Sequence, residues 1–194
     1  TSGEGGIITT NNKKIAQNIL ELRSHGIHKK KDYTYQITKN SLNFRLSDLN
    51  LALAYSQLMK VKLFVDKRKS LAERYYTNFK QISNYLEVIN FNNKNNSAWH
   101  LLIIKIDKEK LRKFNYLNFY KQLKAKKIFC QLHYIPTYRF SAFKKNILKY
   151  KKICKNSEFY FKNCISLPIY YKLKFNDIDH ISKIVIKILR AYET

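Results

Sequence analysis

The sequence predicts an α/β fold, and three observations support this prediction. Apolar runs of strand length occur at residues 99–106 and 128–134. Apolar residues recur every three or four positions over 108–126 and 176–192, which is the spacing of amphipathic helices. Of the 194 residues, 45% are hydrophobic and 14% aromatic, which is enough to bury a sizeable core. A chain of this length is expected to form one domain, with some residues beyond what a single domain needs.

The N-terminal part carries clear helix signals. Residues 7–10 predict a short strand, and residues 13–23 predict a helix that turns four apolar residues inward, namely Ile15, Ile19, Leu20 and Leu22. Residues 24–46 are polar and irregular. Ser47 is a good N-cap for the next helix, with Asp48 in its first turn, and helical character continues to Phe79.

The helix after Ser47 is apolar on more than one side. Its apolar residues are Leu49, Ala52, Leu53, Ala54, Leu58 and Val61. A single stripe would suffice to cover one core, so this wider surface predicts contact with a second domain or another subunit.

The second half predicts two helices and a turn. The helix over 108–126 should bury Leu111, Phe114, Leu117, Tyr120 and Leu123. Asn176 should cap the last helix, whose apolar stripe consists of Ile178, Ile181, Val185, Ile188 and Tyr192. Residues 92–96, Asn-Asn-Lys-Asn-Asn, predict a turn.

The charge of the chain permits two interpretations. With 38 Lys and Arg against 13 Asp and Glu, the net charge is +25, which attracts polyanions. The lysines are spread through the whole chain among Asn, Ile, Tyr and Phe, a mixture typical of an AT-biased genome. The sequence contains no RNA-binding or zinc-finger motif. A compositional bias and a basic protein that binds nucleic acid or another polyanion both remain open.

Several other classes are disfavoured. No apolar run approaches the roughly 18 residues of a membrane span, so no membrane contact is expected. The three cysteines form no C-x-x-C pair and cannot all be bridged, which indicates a reducing, cytoplasmic location. The five histidines are scattered and predict no metal site.

Polar residues in three irregular segments are the candidates for function. These segments are Arg23-Ser24-His25-Gly26, Asn43-Phe44-Arg45, and His133-Tyr134 before Pro136. The arginine guanidinium can donate two parallel hydrogen bonds to an anion, and the asparagine amide can donate or accept. The histidine ring nitrogens and the tyrosine hydroxyl can each form a directional hydrogen bond. Together they predict recognition of anions and hydroxyl groups. A nucleophilic pair of Cys130 and His133 is disfavoured, because strand alternation would put them on opposite faces.

Five blocks, in order, resemble the DegT-type nucleotide-sugar aminotransferases. They are Thr1-Ser2-Gly3-Glu4-Gly5-Gly6, Arg23-Ser24-His25-Gly26, Asn43-Phe44-Arg45-Leu46-Ser47-Asp48 followed by Leu53-Ala54-Tyr55-Ser56-Gln57-Leu58, His133-Tyr134-Ile135-Pro136, and Ser166-Leu167-Pro168. The second and third blocks resemble in particular the pseudaminic-acid pathway transaminases, which act on a UDP-linked 4-keto sugar. The resemblance covers essentially the whole chain.

The resemblance implies a fold and a cofactor. The chain would be the C-terminal part of a type I, aspartate-aminotransferase-like fold that uses pyridoxal 5'-phosphate. Residues 1–64 would form the end of the large domain and a connecting helix, and residues 65–194 the small C-terminal α/β domain. The implied partners are a nucleotide-sugar substrate, an amino-acid donor (glutamate in most of the family) and a second subunit in a homodimer, and the resemblance disfavours nucleic acid as a partner.

The resemblance also implies residue roles. Asn43 would contact the cofactor phosphate of the other subunit, and no residue of this chain is implied to be catalytic. The implied substrate contacts are Arg23, His25 and Arg45 near the nucleotide-sugar diphosphate, and His133 and Tyr134 at the sugar pocket.

One family residue has no counterpart in this sequence. The lysine that the family bonds to its cofactor would lie just before Thr1, and neither Lys13 nor Lys14 matches it. The resemblance therefore implies that the chain alone has no transaminase activity and needs a complementary N-terminal part. A fragment, one half of a split enzyme and a decayed gene product all remain open, as do the keto sugar, the amino donor and the oligomeric state.

Overall fold

The computed structural model describes residues 1–91 and 97–193, apart from the side chains of 144–148. The turn predicted at 92–96 lies outside the described residues. The chain divides into two compact units, Thr1–Lys62 and Leu63–Thr194. This boundary lies two residues from the predicted one, while the assignment of the units to a large and a small domain stays a prediction.

The first unit contains two helices and a β-hairpin. Their bounds are α1, Lys13–Arg23; β1, Ile27–Lys29; β2, Tyr35–Ile37; and α2, Asp48–Leu58. The predicted helix at 13–23 is confirmed, and the Asn12 side chain caps it by accepting from the amides of Lys14 and Ile15. The predicted Ser47 cap is also confirmed, since its hydroxyl accepts from the Asn50 amide at 3.3 Å.

Two expectations for this unit are wrong. Residues 24–46 are not irregular throughout, because β1 pairs antiparallel with β2 and Asp32 stabilises their turn by accepting from the Thr34 amide at 2.7 Å. The strand predicted at 7–10 does not form, and within the described chain these residues have no pairing partner. Short strands depend on a partner, which local patterning does not reveal.

The apolar side chains of α1 and α2 are not covered within this unit. Neither helix has a buried residue, so the predicted inward packing of α1 is wrong for this chain. Leu20 is 55% exposed and Leu49 is 84% exposed. Two helices and one hairpin do not provide a second layer that could bury both apolar surfaces.

The second unit is a three-stranded antiparallel sheet with helices. Its elements are α3, Val61–Phe79, which starts at the end of the first unit; β3, Leu86–Val88; β4, Leu102–Ile106; α4, Tyr116–Ala125; α5, Ile147–Ile153; α6, Lys155–Asn163; β5, Cys164–Leu167; and α7, Phe175–Arg190. The strand order is β3-β4-β5, and Ile104 at the centre pairs with Val88 and Ile165. The predicted α/β class is confirmed.

All described hydrophobic residues that are fully buried belong to this second unit. The core includes Leu71, Tyr75 and Phe79 of α3. It also includes every second residue of β4, namely Leu102, Ile104 and Ile106. The predicted strand at 99–106 is confirmed from Leu102 onward. The strand predicted at 128–134 is reduced to one antiparallel bridge between Gln131 and Ser166.

The helix predicted over 108–126 begins later than expected. Asn115 ends the preceding segment and caps α4, since its side chain accepts from the Asn118 amide at 2.9 Å. Leu111 and Leu123 are buried as predicted, but Leu117 is 62% exposed and Tyr120 is 37% exposed. The buried residues of α4 are Phe119 and Leu123, so the observed stripe includes Phe119 in place of Leu117 and Tyr120.

The last helix begins two residues earlier than predicted. Lys174, not Asn176, occupies the N-cap position, and the Asp177 carboxylate accepts from the Lys174 amide at 2.7 Å. The predicted stripe is confirmed, because Ile178, Ile181, Val185 and Ile188 are buried and Tyr192 is half-buried. Among the described residues, no helix has both the length and the apolar character needed to cross a membrane.

A charged cluster lies between α6 and the segment before α5. The Glu158 carboxylate accepts from the Arg139 Nε at 2.9 Å, from the Tyr138 hydroxyl at 3.0 Å and from the Arg139 Nη2. Glu158 is buried. The Arg139 hydrogen bonds lower the pKa of Glu158 from 4.5 to about 2, with a further contribution from Tyr138.

This shift predicts a specific acid sensitivity. A carboxyl group with a lowered folded-state pKa contributes stability above pH 4.5 and loses it as the pH falls toward about 2. We expect Glu158→Gln to lower the melting temperature at neutral pH and to reduce its fall between about pH 6 and pH 3. Thermal unfolding followed by circular dichroism measures both effects. The control is Glu109→Gln at an exposed glutamate; equal acid sensitivity of wild type and Glu158→Gln would contradict the prediction.

Candidate functional sites

Two segments that the sequence singled out lie side by side in the first unit. Ser24 and Asn43 form an antiparallel bridge. The Phe44 amide donates to the Arg23 carbonyl at 2.9 Å, and the His25 amide donates to the Leu42 carbonyl at 3.0 Å. The fold therefore brings the backbones of Arg23, His25, Asn43 and Arg45 into one local group, which we call the Asn43 cluster.

A sharp turn after α1 makes this arrangement possible. His25 and Gly26 both have left-handed backbone angles, with φ of 62° and 69°. The Gly26 amide donates to the Glu21 carbonyl at 2.9 Å and so closes the end of α1. A Cβ atom at Gly26 would lie 2.0 Å from the Lys39 carbonyl oxygen, so only glycine fits there.

The Asn43 side chain is exposed and oriented by its own loop. Its Oδ1 accepts from the Arg45 amide at 3.1 Å. Within the described part of the chain, the Asn43 amide nitrogen has no hydrogen-bond partner and the guanidinium groups of Arg23 and Arg45 have no ion pair. An amide N–H and two guanidinium groups are a donor set that fits a phosphate group.

The second candidate site follows the bridge between Gln131 and Ser166. Here His133 Nδ1 lies 2.8 Å from Ser166 Oγ. The rings of His133 and Tyr134 meet edge to face, with centroids 4.7 Å apart. His133 is half-buried, while Tyr134 is 71% exposed.

Two cavities of the second unit share the His133 side chain in their walls. One has a volume of about 790 Å³ and also contacts Ser166; the other has a volume of about 1040 Å³ and also contacts Tyr134. Apolar and aromatic residues dominate the larger cavity, among them Phe114, Tyr116, Leu117, Tyr120 and Phe161. A mostly apolar cavity with a few polar groups is typical of a small-molecule site.

The sequence did not point to two polar groups at these cavities. The Tyr116 hydroxyl is buried with no hydrogen-bond partner among the described residues, and burial raises its pKa well above the usual range. Ser166 belongs to one of the blocks that carry the resemblance, but its contact with His133 depends on a bridge between segments 35 positions apart. Only the pairing of the two segments reveals it.

The predicted site residues thus form two groups, one in each compact unit. Arg23, His25, Asn43 and Arg45 belong to the first, and His133 and Tyr134 to the second. Within each group the backbones are neighbours.

Comparisons with known proteins agree on one family. The sequence profile of the DegT/DnrJ/EryC1/StrS aminotransferase family matches residues 1–186. A Campylobacter jejuni relative, UDP-4-amino-4,6-dideoxy-N-acetyl-beta-L-altrosamine transaminase, is 30% identical over 189 residues, which cover 97% of this chain and 49% of that protein. The chain spans about half the length of the curated relatives it matches.

Solved structures share the fold. Helicobacter pylori PseC, an aminotransferase involved in the biosynthesis of pseudoaminic acid, has a TM-score of 0.79 at 25% identity over 94% of this chain and 48% of its own. The PMP form of the putative sugar aminotransferase Spr1654 from Streptococcus pneumoniae has a TM-score of 0.79 at 18% identity over 96% of this chain and 48% of its own, which supports the fold alone. This chain belongs to the DegT/DnrJ/EryC1/StrS aminotransferase family.

Proposed function

We propose that this chain forms the C-terminal half of a pyridoxal-phosphate-dependent aminotransferase that transfers an amino group, from glutamate, to a UDP-linked 4-keto sugar for glycan or polysaccharide synthesis. The Campylobacter jejuni relative is named as a transaminase of a UDP-linked amino sugar, which supports this substrate class. The cofactor, when bound, supplies the electron sink for the transfer. The three cysteines are free, which supports a cytoplasmic location.

The observation that carries this proposal is the Asn43 cluster. The Asn43 amide N–H would donate to the cofactor phosphate of the other subunit in a homodimer. Arg23, His25 and Arg45 would bind the diphosphate of the sugar nucleotide. Phosphate recognition needs such donors at the surface, and the cluster supplies an amide and two guanidinium groups with no competing acid bound to them among the described residues.

The His133–Tyr134 pair would bind the sugar. The larger cavity supports this role, because it combines aromatic walls with the polar groups of His133 and Tyr134. Aromatic and apolar walls exclude water from the bound ring, and the polar tips orient its hydroxyl groups. These residues would bind and orient the sugar. No residue of this chain is proposed to form a covalent bond with the sugar or the cofactor.

The decisive experiment changes Asn43 to aspartate. Asn43→Asp keeps the Oδ1 acceptor for the Arg45 amide and so preserves the loop, but replaces the amide donor with a negative charge. We expect the wild-type chain to bind pyridoxamine 5'-phosphate more tightly than pyridoxamine, and Asn43→Asp to weaken binding of the phosphate compound about 10-fold or more. Amide chemical-shift titrations by NMR measure both affinities, including weak ones.

The matched control is Asn40→Asp, which adds the same charge at another exposed asparagine of the same loop. It should reduce the affinity much less. The proposal fails if the wild-type chain does not distinguish the two compounds, or if Asn43→Asp and Asn40→Asp have equal effects.

A second candidate function is binding of nucleic acid or another polyanion. The observation in its favour is a group of four exposed lysines close together in the sequence of α5 and α6, namely Lys149, Lys151, Lys152 and Lys155. The logarithm of the binding constant for a polyuridine RNA should then fall linearly with the logarithm of salt concentration. The charge reversal Lys151→Glu with Lys152→Glu should weaken it, whereas Asn43→Asp should weaken only pyridoxamine 5'-phosphate binding.

A further inference from the structure

Ser166 occupies a buried position beside the proposed sugar-binding pair. It lies in β5 and is 5% exposed. Its amide donates to the Gln131 carbonyl at 2.9 Å, and its carbonyl accepts from the Gln131 amide at 3.1 Å. These two bonds hold the backbone of Ser166 opposite the segment that leads into His133. The hydroxyl then lies 2.8 Å from His133 Nδ1.

The described residues offer the hydroxyl proton of Ser166 a single acceptor. Across the described residues, His133 Nδ1 is the only hydrogen-bond partner of Ser166 Oγ. Buried donors are almost always paired, whereas a hydroxyl oxygen that accepts nothing is tolerated more easily. The hydroxyl therefore donates, and a neutral His133 must accept with the Nδ1 lone pair. The ring proton is then on Nε2.

We propose that Ser166 is a positioning residue that holds neutral His133 in the Nε2–H tautomer, so that His133 donates a hydrogen bond to an oxygen of the bound ligand. The ligand class follows from the proposed function above and rests on it: an oxygen-rich sugar nucleotide. In the opposite tautomer, Nε2 would direct a lone pair at that oxygen. A ligand oxygen without a hydrogen would then lose its bond to His133.

Another buried serine provides the comparison. Ser182 on α7 is 1% exposed, and its hydroxyl has no hydrogen-bond partner among the residues that the structure describes. Removing its hydroxyl changes a buried serine without changing any contact of His133. Ser182→Ala is therefore the matched control for Ser166→Ala.

The first test needs no variant of Ser166. Long-range ¹H–¹⁵N spectra of the ¹⁵N-labelled chain, recorded above the titration of its histidines, identify the protonated ring nitrogen of each histidine. His133→Gln assigns the His133 signals by their disappearance. We expect the Nε2–H pattern for His133. An Nδ1–H pattern, or a mixture of the two tautomers, overturns the proposal.

The second test removes the hydroxyl and restores it. Ser166→Ala should shift His133 toward a mixture of tautomers, Ser166→Thr should restore the Nε2–H form, and Ser182→Ala should leave it unchanged. Amide spectra of each variant verify folding. Retention of the pure Nε2–H form in folded Ser166→Ala overturns the role of Ser166.

The third test uses UDP-N-acetylglucosamine as the probe. We expect Ser166→Ala to weaken its binding roughly 5-fold to 10-fold, with rescue in Ser166→Thr. Equal binding by wild type and Ser166→Ala overturns the proposed donation to the ligand. Absence of binding by the wild-type chain, with the Nε2–H form present, would instead count against the proposed function and leave the tautomer assignment supported by the spectra.

Discussion

Ile104→Ala is expected to lower the free energy of unfolding of the unit Leu63–Thr194 by about 2–5 kcal/mol. Ile104 is 0% exposed and lies at the centre of β4, between Val88 of β3 and Ile165 of β5. Truncation removes buried methyl groups and leaves a cavity that the paired strands on both sides prevent from collapsing.

The tryptophan at position 99 provides the measurement. Trp99 is the only tryptophan of the chain, and it is 8% exposed in the core of the same unit. Urea unfolding followed by its fluorescence therefore reports on this unit. The midpoint should fall in proportion to the lost free energy, with the slope unchanged if the denatured state is the same.

Ile103→Ala is the matched control on the same strand. Ile103 precedes Ile104 but is only half-buried, since alternate residues of β4 point to opposite faces. Truncating Ile103 should lower the free energy of unfolding clearly less than truncating Ile104. Ile103 is only half-buried, so water can fill part of the space that its side chain leaves. Equal losses for the two variants would contradict the position of the core.

Gly26→Ala is expected to disrupt the Asn43 cluster. An alanine at φ 69° costs about 1–3 kcal/mol in backbone strain alone. In addition, its Cβ would lie 2.0 Å from the Lys39 carbonyl oxygen, so the backbone near Lys39 must move. This shift would break the bond from the Thr38 amide to the Gly26 carbonyl, which is 3.0 Å long. The whole turn after α1 depends on these contacts.

Hydrogen exchange measures this local effect. The amides of Thr38 and Phe44 donate to the two ends of the turn, at Gly26 and Arg23, and both should exchange faster in Gly26→Ala. Binding of pyridoxamine 5'-phosphate should weaken in parallel if the Asn43 cluster is the phosphate site.

The control for this variant is Gly6→Ala. Gly6 has an ordinary backbone angle, and apart from its own residue and its two chain neighbours no described atom lies within 4 Å of the Cβ position. Exchange at Thr38 and Phe44 should therefore be unchanged. Unaltered exchange in Gly26→Ala would show that Lys39 adjusts at little cost and would refute the prediction.

Helices were predicted best where both their periodicity and their caps are local in sequence. The bounds of α1, Lys13–Arg23, were predicted from its apolar spacing, and Ser47 was predicted as the cap of α2. The predictions failed where one local signal competed with another. Asn115 interrupted a helix that the spacing alone extended from 108 to 126, and Asp177 moved the start of α7 to Phe175.

Strands were predicted less well, because a strand exists only through its partner. The short strands β1 and β2 are too short to show a clear alternation of apolar and polar residues. They pair nevertheless, through a turn that Asp32 stabilises. Residues 128–134 have the composition of a strand but form only the bridge from Gln131 to Ser166. Pairing depends on what lies alongside in space, which patterning along the chain does not report.

The amino-acid sequence by itself determined the α/β class, the helix at 13–23, the stripe of the last helix and the six candidate site residues. Helical spacing and side-chain chemistry are properties of neighbours along the chain. Only the tertiary structure decided that Arg23 and Asn43 share one cluster and that Ser166 bonds His133. Those contacts join segments 20 and 33 positions apart, and backbone pairing alone brings them together.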